Sequence, residues 1–588
     1  MRGDGDDAGQ VEAPAQLSFK VAVVSDNRRI ARHLERYLDI QRFTDFPDLQ
    51  LNELRRLLGE VEANARDLLA AQGYFQPTLE LRTGEADADP DAPRQIVIEV
   101  DPGEPAKVAD LDIGFAAPAT DPDGQRQRES VIEAWPLQEG DAFTQIEWDA
   151  AKSTGLRELQ RERYPTAHIA SSLAIVRAAT STVDLEVEYD TGPLYRFGAL
   201  ELQGVERYNA EGIRNIARIP TGADYSELTL LEAQQRLVGS GYFDSAFLVL
   251  DTSTEEPQQA KVIAQLREAT YQKLVFGLGY STDAGPRVSV DHSHNRMWPL
   301  RWRALNQVAV GTETQSLATH WTAMPAASGW AWNTGATLSR SAYGDFTANS
   351  VSVTGGRARS ADRTERRYYG QYDASAAEGG DAPGGSSSIL GNYAWTGRYF
   401  DNPTSPVRGR GWGVEAGIGF TLTPDRDPFV RTKLRGLQLL PIGRPNAAGR
   451  RSRLVLRAEA GAIYAADDVR IPVPLLVLTG GDTTVRGYSY HSIGNRLDDG
   501  STYGSRYMTL GSVEWQRPIS LFGDGTTWEH TLFVDAGAAS DTFRDAVVHT
   551  GVGTGMRWSS PVGPLQADVA YGTRDHRWRL HLRVGFQF

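Results

Sequence analysis

Hydrophobic and polar positions alternate from Tyr271 to the last residue, and the final segment shows the pattern most clearly. Trp578, Leu580, Leu582, Val584, Phe586 and Phe588 hold the even positions, and Arg577, Arg579, His581, Arg583, Gly585 and Gln587 the odd ones. Successive side chains of a strand point to opposite faces, so this segment has one apolar and one polar face. The same dyad sets Leu454, Leu456, Ala458 and Ala460 against Arg453, Arg457 and Glu459, and Leu565, Ala567 and Val569 against Gln566 and Asp568. A soluble sandwich rarely sustains it for about 300 residues. Arginines on the polar face predict a barrel with lipid outside and a polar lumen. Sixteen segments follow, with cores near 272, 287, 301, 314, 330, 348, 366, 387, 411, 430, 452, 506, 528, 549, 563 and 577. The Gly-, Ala-, Ser- and Asp-rich stretch Ala374 to Ser388 reads as a long external loop.

Before residue 270 the period is mixed. Leu54, Leu57, Leu58, Ala65, Leu68 and Leu69 mark a helix, followed by Gly73-Tyr74-Phe75 and the strand-like Thr78 to Leu81. Leu228, Leu231, Ala233 and Leu237, then Gly241-Tyr242-Phe243 and Phe247 to Leu250, repeat that order, and Arg163-Tyr164-Pro165 is a copy without the glycine. Strands at 96–100, 183–187 and 261–266 close the copies, and Asp101-Pro102-Gly103 recurs as Asp190-Thr191-Gly192, 89 residues later. Tandem α+β domains result, each ordered strand, helix, helix, strand, strand. The boundaries are a disordered leader at 1–16, domains at 17–104, 105–193 and 194–269, and a barrel at 270–588. Gly in the left-handed conformation ends each helix, and the aromatic pair turns in to cover the sheet.

Composition removes several function classes. No apolar run approaches the ~18 residues of a membrane-spanning helix. There is no cysteine, so disulfides, thiol nucleophiles and Cys-ligated metals are out. The net charge of −14 argues against a nucleic-acid partner. The acidic N-terminus lacks a basic-then-apolar leader, so an exported protein of this sequence has already lost its signal peptide. Asp87, Asp89 and Asp91 alternate like a calcium loop, but Ala92 and Ile98 stand where glycine and glutamate belong. His292 and His294 share a strand face without a third ligand nearby. No hydrolase or phosphate-binding motif is present, and neither cofactor nor metal is expected.

The last 110 or so residues carry a set of motifs. Gly480-Gly481-Asp482-Thr483-Thr484-Val485-Arg486-Gly487-Tyr488 lies in a long connection around 465–505. It precedes Val513-Glu514-Trp515-Gln516-Arg517-Pro518, Phe533-Val534-Asp535-Ala536-Gly537 and the Gly-rich pair Gly553 to Leu565 with its Ser-Pro-x-Gly-Pro-Leu. The chain ends on Arg583-Val584-Gly585-Phe586-Gln587-Phe588. In order and spacing these segments resemble the BamA/TamA superfamily of outer-membrane assembly barrels, and the N-terminal repeats resemble its POTRA domains. The fold implied is tandem α+β POTRA domains followed by an all-β, 16-stranded antiparallel transmembrane β-barrel.

The resemblance makes Val485, Arg486, Gly487 and Tyr488 the tip of a sixth external loop folded back into the lumen. Alternation turns Glu514 and Asp535 inward, within reach of the Arg486 fork. Gly487 would let the loop backbone pass close to the wall. Glycine weakens strand pairing, so Phe276, Gly277 and Gly279 on the first strand and Gly585, Phe586 and Phe588 on the last form a seam able to open sideways, with residue 276 across from 584. The function implied is non-enzymatic assembly of β-barrel proteins and autotransporters into the bacterial outer membrane. Sheet edges of periplasmic POTRA domains would hold the unfolded client. Three POTRA domains suit the TamA branch, which implies a monomeric barrel in the lipid bilayer and a periplasm-spanning TamB-type subunit. The alternative is a two-partner-type secretion pore exporting an unfolded polypeptide.

Overall fold

The structure is a computed structural model that describes residues 19–44, 49–83, 94–119, 121–282, 284–343, 346–379, 382–402, 406–446, 449–497, 500, 502–521, 524–560 and 563–584. The leader and the calcium-like Asp87, Asp89 and Asp91 lie outside the described residues. Two compact units form, one of residues 1–201, 219–231 and 249–263, the other of residues 202–218, 232–248 and 264–588.

The strand, helix, helix, strand, strand order recurs three times. The first copy runs Phe19–Val24, Arg28–Tyr37, Leu51–Ala71, Thr78–Thr83 and Arg94–Asp101. Asn27 caps the first helix by accepting from the Arg29 and Ile30 N–H groups. The closing strand takes the centre of the sheet, parallel to the first and antiparallel to the second. Ile30, Leu34, Leu54, Leu57, Ala65 and Leu69 pack on Ile96 and Ile98 in one apolar core. The second copy repeats this with strands Lys107–Phe115, His168–Arg177 and Thr182–Asp190, and the third with Phe197–Gln203, Phe243–Leu250 and Ala260–Glu268. In the last helix, Glu227–Gly239, the buried face is Leu230, Ala233 and Leu237. Leu228 and Leu231 are exposed, so the inward stripe differs from the expected one.

Gly73 and Gly241 adopt φ values of +86° and +74°, as a left-handed helix end requires. In the second copy that corner is occupied by Arg163, at φ +63°. A side chain is tolerated there because it has work to do. The Arg163 guanidinium forks onto Asp121 at 2.9 and 2.7 Å and lies 3.5 Å from Asp224. The aromatic pair also divides its labour: Tyr74 covers the first core, and Phe75 packs against the second, toward Phe143.

Sixteen antiparallel strands close into a barrel, from Gln272–Ser281 to Arg577–Val584, one for each segment of the alternating pattern. The outward face carries exposed apolar side chains such as Phe276, Leu278, Ile418, Trp578 and Leu580, which suits lipid. His292 and His294 also lie on this register, and His292 is engaged by Gln272 and Asn306. The stretch Ala374 to Ser388 corrects an expectation, because most of it is strand. Thr364–Glu378 and Ser386–Phe400 pair through Ala374–Ser387 and Ser375–Ser386. Its small residues make room inside the barrel: Ser375, Ser386 and Ser388 are buried, and Ser375 accepts from the Val473 N–H at 3.0 Å. A composition suited to solvent equally suits a wall that a loop packs against.

The seam differs in register from the expected one. Among the described residues, first and last strands pair at Tyr280–Val584 and Ser281–Arg583. Residue 584 therefore faces Tyr280 and not Phe276. Phe276 and Gly277 pair with Val290 and Ser289, and Gly279 with Arg287, on the second strand. Gly585, Phe586 and Phe588 lie outside the described residues.

Candidate functional site

The connection between the eleventh strand, Ser452–Tyr464, and the twelfth, Tyr507–Leu521, folds into the barrel. Val469, Ile471 and Leu475 anchor its first part in an apolar cluster with Leu390, Phe429 and Ile463. A tight turn follows, in which the Gly481 N–H reaches Val485 O at 3.2 Å and the Gly480 N–H reaches the Thr484 hydroxyl at 2.9 Å. Arg457 of the eleventh strand holds this turn by donating to Thr483 O at 2.7 Å and Thr484 O at 3.2 Å.

Arg486 follows that turn and is 4% exposed. All three guanidinium nitrogens are engaged. Nε and Nη2 fork onto Asp535 at 2.6 and 2.9 Å. Nη1 reaches Glu514 at 2.6 Å and Asp568 at 3.2 Å. The Arg486 N–H also donates to Asp535, at 3.2 Å, and the guanidinium carbon sits 3.3 Å above the Phe533 ring centroid. A planar fork lying on an aromatic face and meeting a carboxylate edge-on is a geometry that lysine does not reproduce. Burial alone would disfavour its charge. The hydrogen bonds to Asp535 and the fields of Asp535, Glu514 and Asp568 nevertheless hold its pKa above the ordinary guanidinium value.

The carboxylates have further partners. Ser512 donates to Asp535 at 2.6 Å, Gln516 to Glu514 at 2.8 Å and Gln566 to Asp568 at 2.9 Å. Arg557 donates to Asp568 at 3.1 Å and lies 3.4 Å from Glu514. Two guanidinium groups thus face three carboxylates across four strands, and the buried charges are largely compensated.

Backbone approach is close as well. Gly487 takes φ +92°, and its N–H donates to His581 Nε2 on the last strand at 2.9 Å. Tyr488 donates to Thr550 O at 3.1 Å. The wall is bare where the loop lies: a Cβ at Gly551 would sit 1.8 Å from Arg486 O, and one at Gly572 would sit 2.6 Å from Gly487 O. Arg486 therefore meets both expected partners, Glu514 and Asp535. Asp568, Arg557, Ser512 and His581 join them without having been singled out, although alternation already turned Asp568 and His581 inward. What sequence lacked was the register that sets these residues level with the loop tip. Chemically, a fully engaged arginine is suited to fastening a loop to a wall.

Residues 288–588 match the model of the Omp85 superfamily domain. Among solved structures, BamA from Haemophilus ducreyi lacking POTRA domains 1–3 is 14% identical, with a TM-score of 0.60, covering 82% of this chain and 100% of that one. CdiB from Acinetobacter baumannii is 13% identical, with a TM-score of 0.48 and coverages of 91% and 98%. The POTRA3–5 fragment of Haemophilus influenzae BamA is 17% identical, with a TM-score of 0.26, covering 43% of this chain and 96% of its own. At such identities the likeness is one of fold. The family match spans just over half of the chain, and this chain belongs to the Omp85 superfamily.

Proposed function

We propose that this protein assembles and inserts other proteins, β-barrels and autotransporters among them, into the bacterial outer membrane without covalent chemistry. Membership of the Omp85 superfamily, with a closed sixteen-stranded barrel behind tandem α+β domains, carries this reading. Were the first and last strands to part where they meet at Tyr280–Val584 and Ser281–Arg583, the freed edge would be a template for an incoming strand. In this proposal the N-terminal domains lie in the periplasm and receive an unfolded client, and the barrel acts as a monomer in the lipid bilayer. A periplasm-spanning TamB-type subunit partners it, as in the TamA branch. The docked Arg486 keeps the wall in shape while the seam parts.

The test is reconstitution of the full chain in lipid vesicles with an unfolded barrel client. Faster appearance of folded, protease-resistant client in the bilayer than in empty vesicles is expected. A client that crosses into the vesicle interior as soluble polypeptide, without insertion, would favour the two-partner secretion pore. Hydrolysis of the client by purified protein would overturn the non-enzymatic reading.

A further inference from the structure

One residue of the in-folded loop touches both strands of the seam. Asp482 lies four positions before Arg486, at the start of the turn closed by the Gly481–Val485 and Thr484–Gly481 backbone bonds. Its Oδ2 accepts from the Ser281 hydroxyl of the first strand at 3.3 Å, and Arg583 Nε of the last strand approaches the same oxygen to 3.7 Å. Ser281 and Arg583 are themselves a register pair, on odd positions that face the lumen. The loop thus meets the seam where its described ladder is formed. Next to this point, Thr282 donates its hydroxyl to Leu580 O at 2.7 Å and accepts from the Leu582 N–H at 3.3 Å. Gly487 adds a contact to His581 on the same last strand.

We propose that Asp482 is a seam staple, a carboxylate that holds the first and last strands together and ties the closed seam to the docked loop. The short turn between Asp482 and Arg486 makes one position depend on the other. With Arg486 locked into Asp535, Asp482 is carried to the seam. With the loop withdrawn, the Ser281 hydroxyl and Arg583 lose this shared carboxylate. Asp482 is then a positioning residue that couples the loop lock to the gate. This inference rests on the reading that the seam opens.

The chain has no cysteine, so spin labels can be placed at Leu278→Cys and Leu580→Cys, outward positions on the two seam strands, in full-length protein in lipid nanodiscs. The unmodified loop is expected to give one short distance. Asp482→Ala is expected to raise the population of a longer distance roughly fivefold, the factor that about 1 kcal/mol of lost polar contact corresponds to. Arg583→Gln and Ser281→Ala should each give a smaller rise, and Arg583→Gln should add little on top of Asp482→Ala. These two milder variants also carry the test where Asp482→Ala does not yield a folded, heat-modifiable barrel. An unchanged distance distribution in the folded variants, or full additivity of Asp482→Ala and Arg583→Gln, would overturn the staple. Client insertion by protein with an oxidised disulfide across the seam separates the two levels. If the locked protein is inactive while Asp482→Ala leaves the distances unchanged, the staple fails and the seam reading stands. If the locked protein is fully active, the seam reading fails.

Discussion

The wall from the twelfth to the fifteenth strand and the seam between the first and last meet the same loop, yet they are fastened very differently. In the wall, the ladder between the thirteenth and fourteenth strands runs unbroken from Trp528–Trp558 to Gly537–His549. Its lumen side adds a buried arginine with carboxylates from three strands. At the seam, the lumen side next to the register pair Ser281–Arg583 carries one carboxylate, Asp482, shared at 3.3 and 3.7 Å, and beside it the Thr282 N–H and hydroxyl donate to Leu582 O and Leu580 O. Breaking up buried, compensated charge is costly because it leaves bare charges in a dry site. A single polar contact such as those of Asp482 or Thr282 is worth far less. On the proposed function, the seam parts while the lock keeps the wall in shape.

Substitutions that empty the lock should have the largest effect. Arg486→Ala leaves Asp535, Glu514 and Asp568 facing one another with only Arg557 between them. It is expected to destabilise the folded barrel by about 3–5 kcal/mol, read as a fall in the heat-modification midpoint, with loss of client insertion. A midpoint within the error of the parent would mean that the loop is not held by this contact. Asp535→Asn keeps the shape but removes the anion that the fork meets, for an expected loss of about 1.5–3 kcal/mol. A double variant with Arg486→Ala should fall well short of the sum, because both act on one network. Gly551→Ala touches no charge at all. Its Cβ would sit 1.8 Å from Arg486 O, so the loop must lift, at about 1–3 kcal/mol. The check is protease cleavage within residues 480–490, faster in the variant than in the parent. At the seam, Thr282→Val removes two hydrogen bonds and should cost only about 0.5–1.5 kcal/mol. Its midpoint should barely move, while deuterium exchange at the Leu582 amide should rise. Equal shifts from Thr282→Val and Arg486→Ala would erase the contrast between wall and seam.

Much of this was legible in the sequence, for a definite reason. Strict alternation reports a face, so each strand was located and Glu514 and Asp535 were turned inward before any register was known. Alternation does not report height. Asp568 and His581 were visible as inward polar residues, but only the ladder offsets place them level with Arg486 and Gly487. The same limit misplaced residue 276 opposite residue 584, where Tyr280 stands. Composition misled at Ala374 to Ser388, because small polar residues suit solvent and also suit a wall packed against a loop. Arg163 is another such case: it takes a left-handed corner that glycine fills in the other copies, and sequence gave no sign of the two aspartates that hold it there.

The central claim is that clients enter the membrane through an opening seam, and a reversible lock tests it most directly. Tyr280→Cys with Val584→Cys joins the two strands at a register pair of the seam, in a chain with no other cysteine. Oxidised protein in vesicles is expected to lose client insertion, and the same vesicles are expected to regain it on reduction. Equal insertion by oxidised and reduced protein would contradict the account.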